Sequence, residues 1–120
     1  MYEIVMVCTG NICRSPMAER LLIQMLPNDL KARISVKSAG TNALHGHQAA
    51  DYAVKTMAQI GIDLKDHRAC QLTKAMERRA DILLAMENRH LDFIKSLHGC
   101  SKQVGSSPTS RGAVRCGTHL

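Results

Sequence analysis

Cys8-Thr9-Gly10-Asn11-Ile12-Cys13-Arg14-Ser15-Pro16 carries the chain from one kind of structure into another. Just before it, Ile4-Val5-Met6-Val7 is an unbroken apolar run rich in β-branched residues, the pattern of a buried parallel strand. Just after it, Pro16 stands in the first turn of a helix, where its missing N–H costs nothing. Met17, Leu21, Leu22 and Met25 share one face of that helix, and Pro27 stops it. A loop that runs from a strand end to a helix start can turn successive backbone N–H groups toward one point and form an anion nest. The helix N-terminus adds unpaired donors and a positive dipole end. In this reading Gly10 supplies the conformational freedom of the curl. Asn11 tolerates left-handed geometry and ties the loop through its side chain. Arg14 offers a planar fork to two oxygens of a tetrahedral anion.

Thr9, Gly10, Asn11, Ile12, Cys13, Arg14 and Ser15 are therefore the expected binding residues for inorganic phosphate or a similar oxyanion. Cys8 lies at the floor of the cup, where a helix N-terminus, an arginine and inward N–H groups favour a thiolate. Ser15 can donate a hydrogen bond to the sulfur. A thiolate so placed can attack a bound phosphoryl group in line. A lone Cys-x5-Arg spacing says little; the glycine, asparagine and Ser-Pro inside a strand-to-helix frame make it specific.

The rest of the chain alternates strand and helix. Ile34-Ser35-Val36 reads as a second strand leading into Ser38-Ala39-Gly40-Thr41. Ala50, Ala53, Val54, Met57 and Ala58 form the stripe of a second helix closed by Gly61. Thr73 caps a short helix through Arg79, Ile82 to Met86 is the third buried strand, and residues 88–97 form a helix with Leu91, Ile94 and Leu97 on one side, ended by Gly99. This pattern predicts an α/β fold, a three-layer sandwich in which helices flank a short parallel sheet, with the phosphate-binding loop after the first strand. Residues 1–98 form that domain. Residues 99–120 hold four glycines and sparse apolar residues and read as an irregular basic tail, leaving the C-terminal part of the fold incomplete.

At 120 residues and 13.2 kDa the chain has room for one domain. Its composition, 45% hydrophobic and 22% charged, is globular. The net charge of +6 raises the question of nucleic acid. Residues 1–92 carry 12 Lys/Arg and all 10 acids, so most of the excess lies in the tail. The three aromatic residues, Tyr2, Tyr52 and Phe93, give no stacking platform, and no nucleic-acid partner is expected. No apolar run reaches the roughly 20 residues of a membrane span, and no secretory leader is legible at Met1. A cytoplasmic location is the expectation. The five cysteines, an odd number without a leader, argue against a disulfide framework. Cys8 and Cys13 lack the second ligand pair that structural zinc needs, so no metal and no other cofactor is expected. His45, His47 and His90 are read as lying on loops or exposed faces.

The stretch Val7–Pro16 resembles the signature of the low-molecular-weight protein tyrosine phosphatases. Ser38-Ala39-Gly40-Thr41, Asp66-His67-Arg68-Ala69 with Gln71-Leu72-Thr73, and Asp81–Glu87 resemble further segments of the same family, in order. Ala18-Glu19-Arg20-Leu21-Leu22 and Met86-Glu87-Asn88-Arg89-His90 are similar to its bacterial branch linked to exopolysaccharide export. The resemblance covers about residues 3–97. It implies hydrolysis of protein phosphotyrosine through a cysteinyl-phosphate, with Cys8 as nucleophile and Arg14 as phosphate clamp. It makes Asn11, Ser15, Ser38 and His67 supports of the loop, and Cys13 a thiol able to protect Cys8 as a disulfide. It implies phosphotyrosine proteins as partners, an autophosphorylated bacterial tyrosine kinase among them; separately, a monomer is the expectation.

The chain departs from the family in two places. Cys70 stands where the family often has arginine. The family's Asp-Pro-aromatic loop, whose aspartate protonates the leaving group, has no counterpart, because no Asp or Glu follows Asp92 and Pro108 follows Ser107. Activity is therefore expected to be impaired. Two other functions use the same cup: a phosphotyrosine-binding module without turnover, and an arsenate reductase with Cys70, Cys100 or Cys116 as partner thiols.

Overall fold

A computed structural model of the chain describes residues 1–97 and the backbone of 102–106 and 112–116. The first apolar run is strand β1 (Tyr2–Cys8), followed at Arg14 by helix α1 (Arg14–Met25) and a short helix α2 (Asn28–Lys31) that the sequence pattern did not signal. Strand β2 (Ile34–Gly40), helix α3 (Asp51–Ala58), helix α4 (Lys74–Arg79), strand β3 (Ile82–Ala85) and helix α5 (Asn88–Leu97) follow. Thr73 caps α4 through Met76 N–H at 3.2 Å. Gly61, with φ +80°, ends the turn after α3 in the left-handed region that glycine enters at little cost.

β1 is flanked by β2 and β3, and all three run parallel; Cys8 pairs with Gly40 and Val7 with Ala85. Val5 and Val7, two residues apart, point to one face of the sheet. There they pack with Leu83, Ala85, Leu91 and Ile94, all buried, so α5 covers that face. α1 lies along β1 and β2, and α3 contributes Ala53 and Met57 to a second cluster with Ile62 and Leu64. The three expected layers are present.

The sheet continues further than the sequence reading anticipated. The segments 102–106 and 112–116, expected to be irregular, form strands β4 (Lys102–Ser106) and β5 (Gly112–Cys116). β5 pairs antiparallel with β3 and β4 with β5, giving a five-stranded sheet in the order β2-β1-β3-β5-β4. Periodicity misses such strands because backbone pairing, which any non-proline residue can make, carries them. The expectations at Gly99, Cys100 and Pro108 lie outside the described residues.

The connection leaving β1 lies where its neighbours diverge, β2 on one side and β3 on the other, at the carboxyl ends of parallel strands. Open α/β sheets bind ligands at such a switch point.

Candidate active site

Residues 8–14 form a cup at that switch point, and the direction of its peptide groups follows from its hydrogen bonds. The carbonyls of Cys8, Thr9 and Gly10 accept from the N–H groups of Thr41, Asn42 and Leu44 at 2.9, 2.9 and 3.2 Å. The Asn11 carbonyl accepts from His67 Nε2 at 2.7 Å. Those of Ile12 and Cys13 accept from Ala50 and Met17 N–H at 2.7 and 3.2 Å. Six consecutive carbonyls are thus turned outward onto surrounding structure. In a planar trans peptide the N–H of the next residue points the opposite way. The N–H groups of residues 9–14 therefore face the inside of the cup, the donor arrangement that anions select.

The thiol on the floor is held by a directed chain of bonds. Cys70 N–H donates to Asn11 Oδ1 at 2.7 Å, which fixes the amide with Nδ2 toward Ser15. Asn11 Nδ2 donates to Ser15 Oγ at 2.8 Å. Ser15 Oγ thereby accepts a hydrogen bond, and its own hydroxyl hydrogen is free to point at Cys8 Sγ, 2.9 Å away. Cys8, Asn11 and Ser15 are all buried.

Asn11 has φ +59°, where asparagine is among the few tolerated side chains. The conformational demand that the sequence reading placed on Gly10 falls on Asn11. Gly10 lacks a positive φ, and a Cβ there would meet nothing nearer than Ile12 Cγ1 at 3.6 Å. The indispensable glycine is Gly40, where a Cβ would lie 2.4 Å from the Thr9 carbonyl oxygen and 3.1 Å from Asn11 Cβ. The end of β2 presses against the cup, and only a missing side chain permits it. Spacing gives no signal for this.

Of the other expected supports, His67 is buried and bonded to the loop as described. Ser38 is buried, but its hydroxyl donates to Glu19 Oε1 at 2.6 Å, so that bond braces α1 against β2. Its place on β2 opposite Met6 keeps it short of the cup. Cys70 brings no charge, yet its backbone orients Asn11; its thiol rests near Gln71 O and Met76 Sδ at 3.6 and 4.0 Å. Cys8 and Cys13 are both free thiols here.

Three groups at the site were not anticipated. Arg14 Nη2 donates to Glu87 Oε2 at 2.7 Å with both side chains half-exposed. That bond, ahead of the nearby Arg89 charge, holds the Glu87 carboxyl below its usual range. The hydroxyl of exposed Tyr52 contacts Cys13 Sγ, and this contact raises the phenol above its ordinary value. His90, expected on an exposed face, is 1% exposed. Its Nε2 lies 2.9 Å from Thr9 Oγ1. Its spacing of four from Ile94 and seven from Leu97, the helical repeat of an inward face, was the available signal.

Residues 3–105 match the family described as low molecular weight phosphotyrosine protein phosphatase. The chain is 50% identical over 95 residues to a probable low molecular weight protein-tyrosine-phosphatase, EpsP, of Ralstonia nicotianae, a match covering 79% of this chain and 62% of that protein. The tyrosine phosphatase Wzb from Escherichia coli K30, in complex with sulphate, is similar in structure with a TM-score of 0.70 and 41% identity, over 80% of this chain and 64% of that one. The YwlE arginine phosphatase from Geobacillus stearothermophilus also has a TM-score of 0.70 and 41% identity, over 80% and 59% of the two chains. The chain spans about three fifths of the length of these relatives.

Proposed function

The chain belongs to the low molecular weight phosphotyrosine protein phosphatase family, and from that premise we propose that residues 1–98 form a phosphoric monoester hydrolase acting on protein phosphotyrosine. The observation that carries this reading is the run of six outward carbonyls above Cys8, which leaves six N–H donors for the oxygens of a phosphoryl group. Substrate phosphate enters the cup, and Arg14 exchanges Glu87 for two of its oxygens, a fork-to-fork pairing that a carboxylate and a phosphate can both satisfy. Cys8 Sγ attacks phosphorus in line while the bond to the tyrosine oxygen breaks. Charge that builds on the equatorial oxygens meets fixed N–H dipoles and the guanidinium, which need no reorganisation. Ser15 stabilises the sulfur as entering and as leaving group. Water then attacks phosphorus, and inorganic phosphate and the Cys8 thiolate separate.

Phosphotyrosine proteins, including an autophosphorylated bacterial tyrosine kinase, are the assigned substrates; phosphoarginine, named for one structural relative, is the control. The leaving phenolate takes its proton from water, since residues 93–120 hold no Asp or Glu to donate one, and turnover of phosphotyrosine by this chain is correspondingly slow. Cys13, in contact with Tyr52, is the thiol assigned to shield Cys8 under oxidation.

Acid quenching during turnover of nitrophenyl phosphate, followed by peptide mass analysis, tests the mechanism. Phosphate is expected on Cys8 in the wild type and on no residue in Cys8→Ala. Turnover by Cys8→Ala at the wild-type rate would refute it.

A further inference from the structure

The turn that leaves β3 touches the cup at both ends. Glu87 holds Arg14, the last residue of the loop, through its carboxylate. His90 reaches Thr9, the first residue after the cysteine. The proton on the ring can be placed. Glu87 N–H lies 3.1 Å from His90 Nδ1, and a backbone N–H can only donate, so Nδ1 is unprotonated. The neutral ring then carries its proton on Nε2 and donates it to Thr9 Oγ1. Thr9 is held from the other side as well, because its carbonyl accepts from Asn42 N–H and abuts Gly40.

Helix capping accounts for half of this arrangement. His90 is the third residue of α5 and reaches back to the N–H just before the helix, as in a capping box. Capping uses Nδ1 alone and leaves Nε2 no reason to aim at the loop.

We propose that His90 is a positioning residue of the cup: its neutral ring, oriented by Glu87 N–H, locks the Thr9 side chain, so that one turn of chain sets both ends of the nest. The assignment rests on the reading of the cup as a phosphoryl site. Protonation of the ring would set N–H against N–H at Glu87 and release Thr9. Burial opposes that protonation most strongly, Arg89 and Arg14 oppose it too, and the Glu87 carboxylate favours it; the balance keeps His90 below the ordinary histidine range. The cup should therefore stay intact at neutral pH and loosen only in acid.

The test uses the full chain, with vanadate inhibition and nitrophenyl phosphate kcat/KM measured across pH 4.5–8. Thr9→Val should weaken vanadate binding about tenfold, the scale of a lost buried hydrogen bond that strands its partner. Thr9→Ser, which keeps the hydroxyl, should restore it. Adding His90→Ala to Thr9→Val should cost little more than Thr9→Val alone. His90→Gln keeps a donor for Thr9 but cannot titrate, and should remove part of the acid-side loss of affinity. This variant and Thr9→Val carry the test if His90→Ala fails to fold. Independent, multiplicative effects at positions 9 and 90, or an unchanged acid limb in His90→Gln, would overturn the assignment alone. Wild-type protein that neither binds vanadate nor turns over would overturn the phosphatase reading and this assignment together.

Discussion

Gly40→Ala probes the seam between β2 and the cup. The added methyl would stand 2.4 Å from the Thr9 carbonyl oxygen and 3.1 Å from Ala43 Cβ and Asn11 Cβ. Carbon and oxygen in contact want about 3.3 Å or more, so strand and loop must part by nearly an ångström. Neither side yields readily. Gly40 is tied by its N–H to Cys70 O at 2.9 Å and by its carbonyl to Leu72 N–H at 2.8 Å, and the Thr9 carbonyl is bonded to Asn42. Overpacking of a rigid site costs about 1–3 kcal/mol, a fall in thermal midpoint of roughly 4–8 °C per kcal/mol for a domain of this size. The loss of function should be larger in proportion, since a displacement of about 1 Å at a reacting centre can cost on the order of 100-fold. Thermal unfolding and nitrophenyl phosphate kinetics measure both, with Gly10→Ala for comparison, where the nearest side-chain atom is 3.6 Å away. Wild-type stability and kinetics in Gly40→Ala, or a greater loss in Gly10→Ala, would refute the reasoning.

Asn11→Ala combines left-handed strain of about 1–2 kcal/mol with the loss of two buried hydrogen bonds worth about 1 kcal/mol each; Asn11→Gly should recover the strain in urea unfolding but not the catalytic rate. The Glu87 carboxyl is held low by Arg14, so the stability from this pair is present above the unfolded value of about pH 4.3 and is lost as pH falls through the folded one. Thermal midpoints against pH should show that Glu87→Gln abolishes this step. Turnover by the 120-residue chain should depend steeply on leaving-group pKa, favouring nitrophenyl phosphate over phosphotyrosine, because general acid catalysis is worth about 10²–10⁴-fold; a flat series would reveal a proton donor among the residues present.

The cup was legible because its residues carry local physics. Val5 and Val7 mark a strand, Pro16 marks a helix start, and Asn11 suits a left-handed turn whatever the rest of the chain does. The groups that brace the cup were harder to read. Gly40 matters through a carbonyl 31 residues away in sequence, and Glu87 through an arginine 73 residues away. Ser38 looked like a loop support until its neighbour proved to be Glu19. His90 could have been placed inward by its spacing, but not against Thr9, because that contact depends on β3 lying beside β1. The strands β4 and β5 were missed for the reason that their side-chain pattern carries no alternation.

The central claim is that six consecutive N–H groups converge above Cys8 to bind a phosphoryl group. Amide-resolved NMR titration of Cys8→Ser with inorganic phosphate tests it most directly. The account predicts that the amides of residues 9–14 shift together along a single binding curve, with Arg14 side-chain resonances following the same curve. Amides 9–14 that stay unmoved while exposed lysines and arginines elsewhere respond would contradict it.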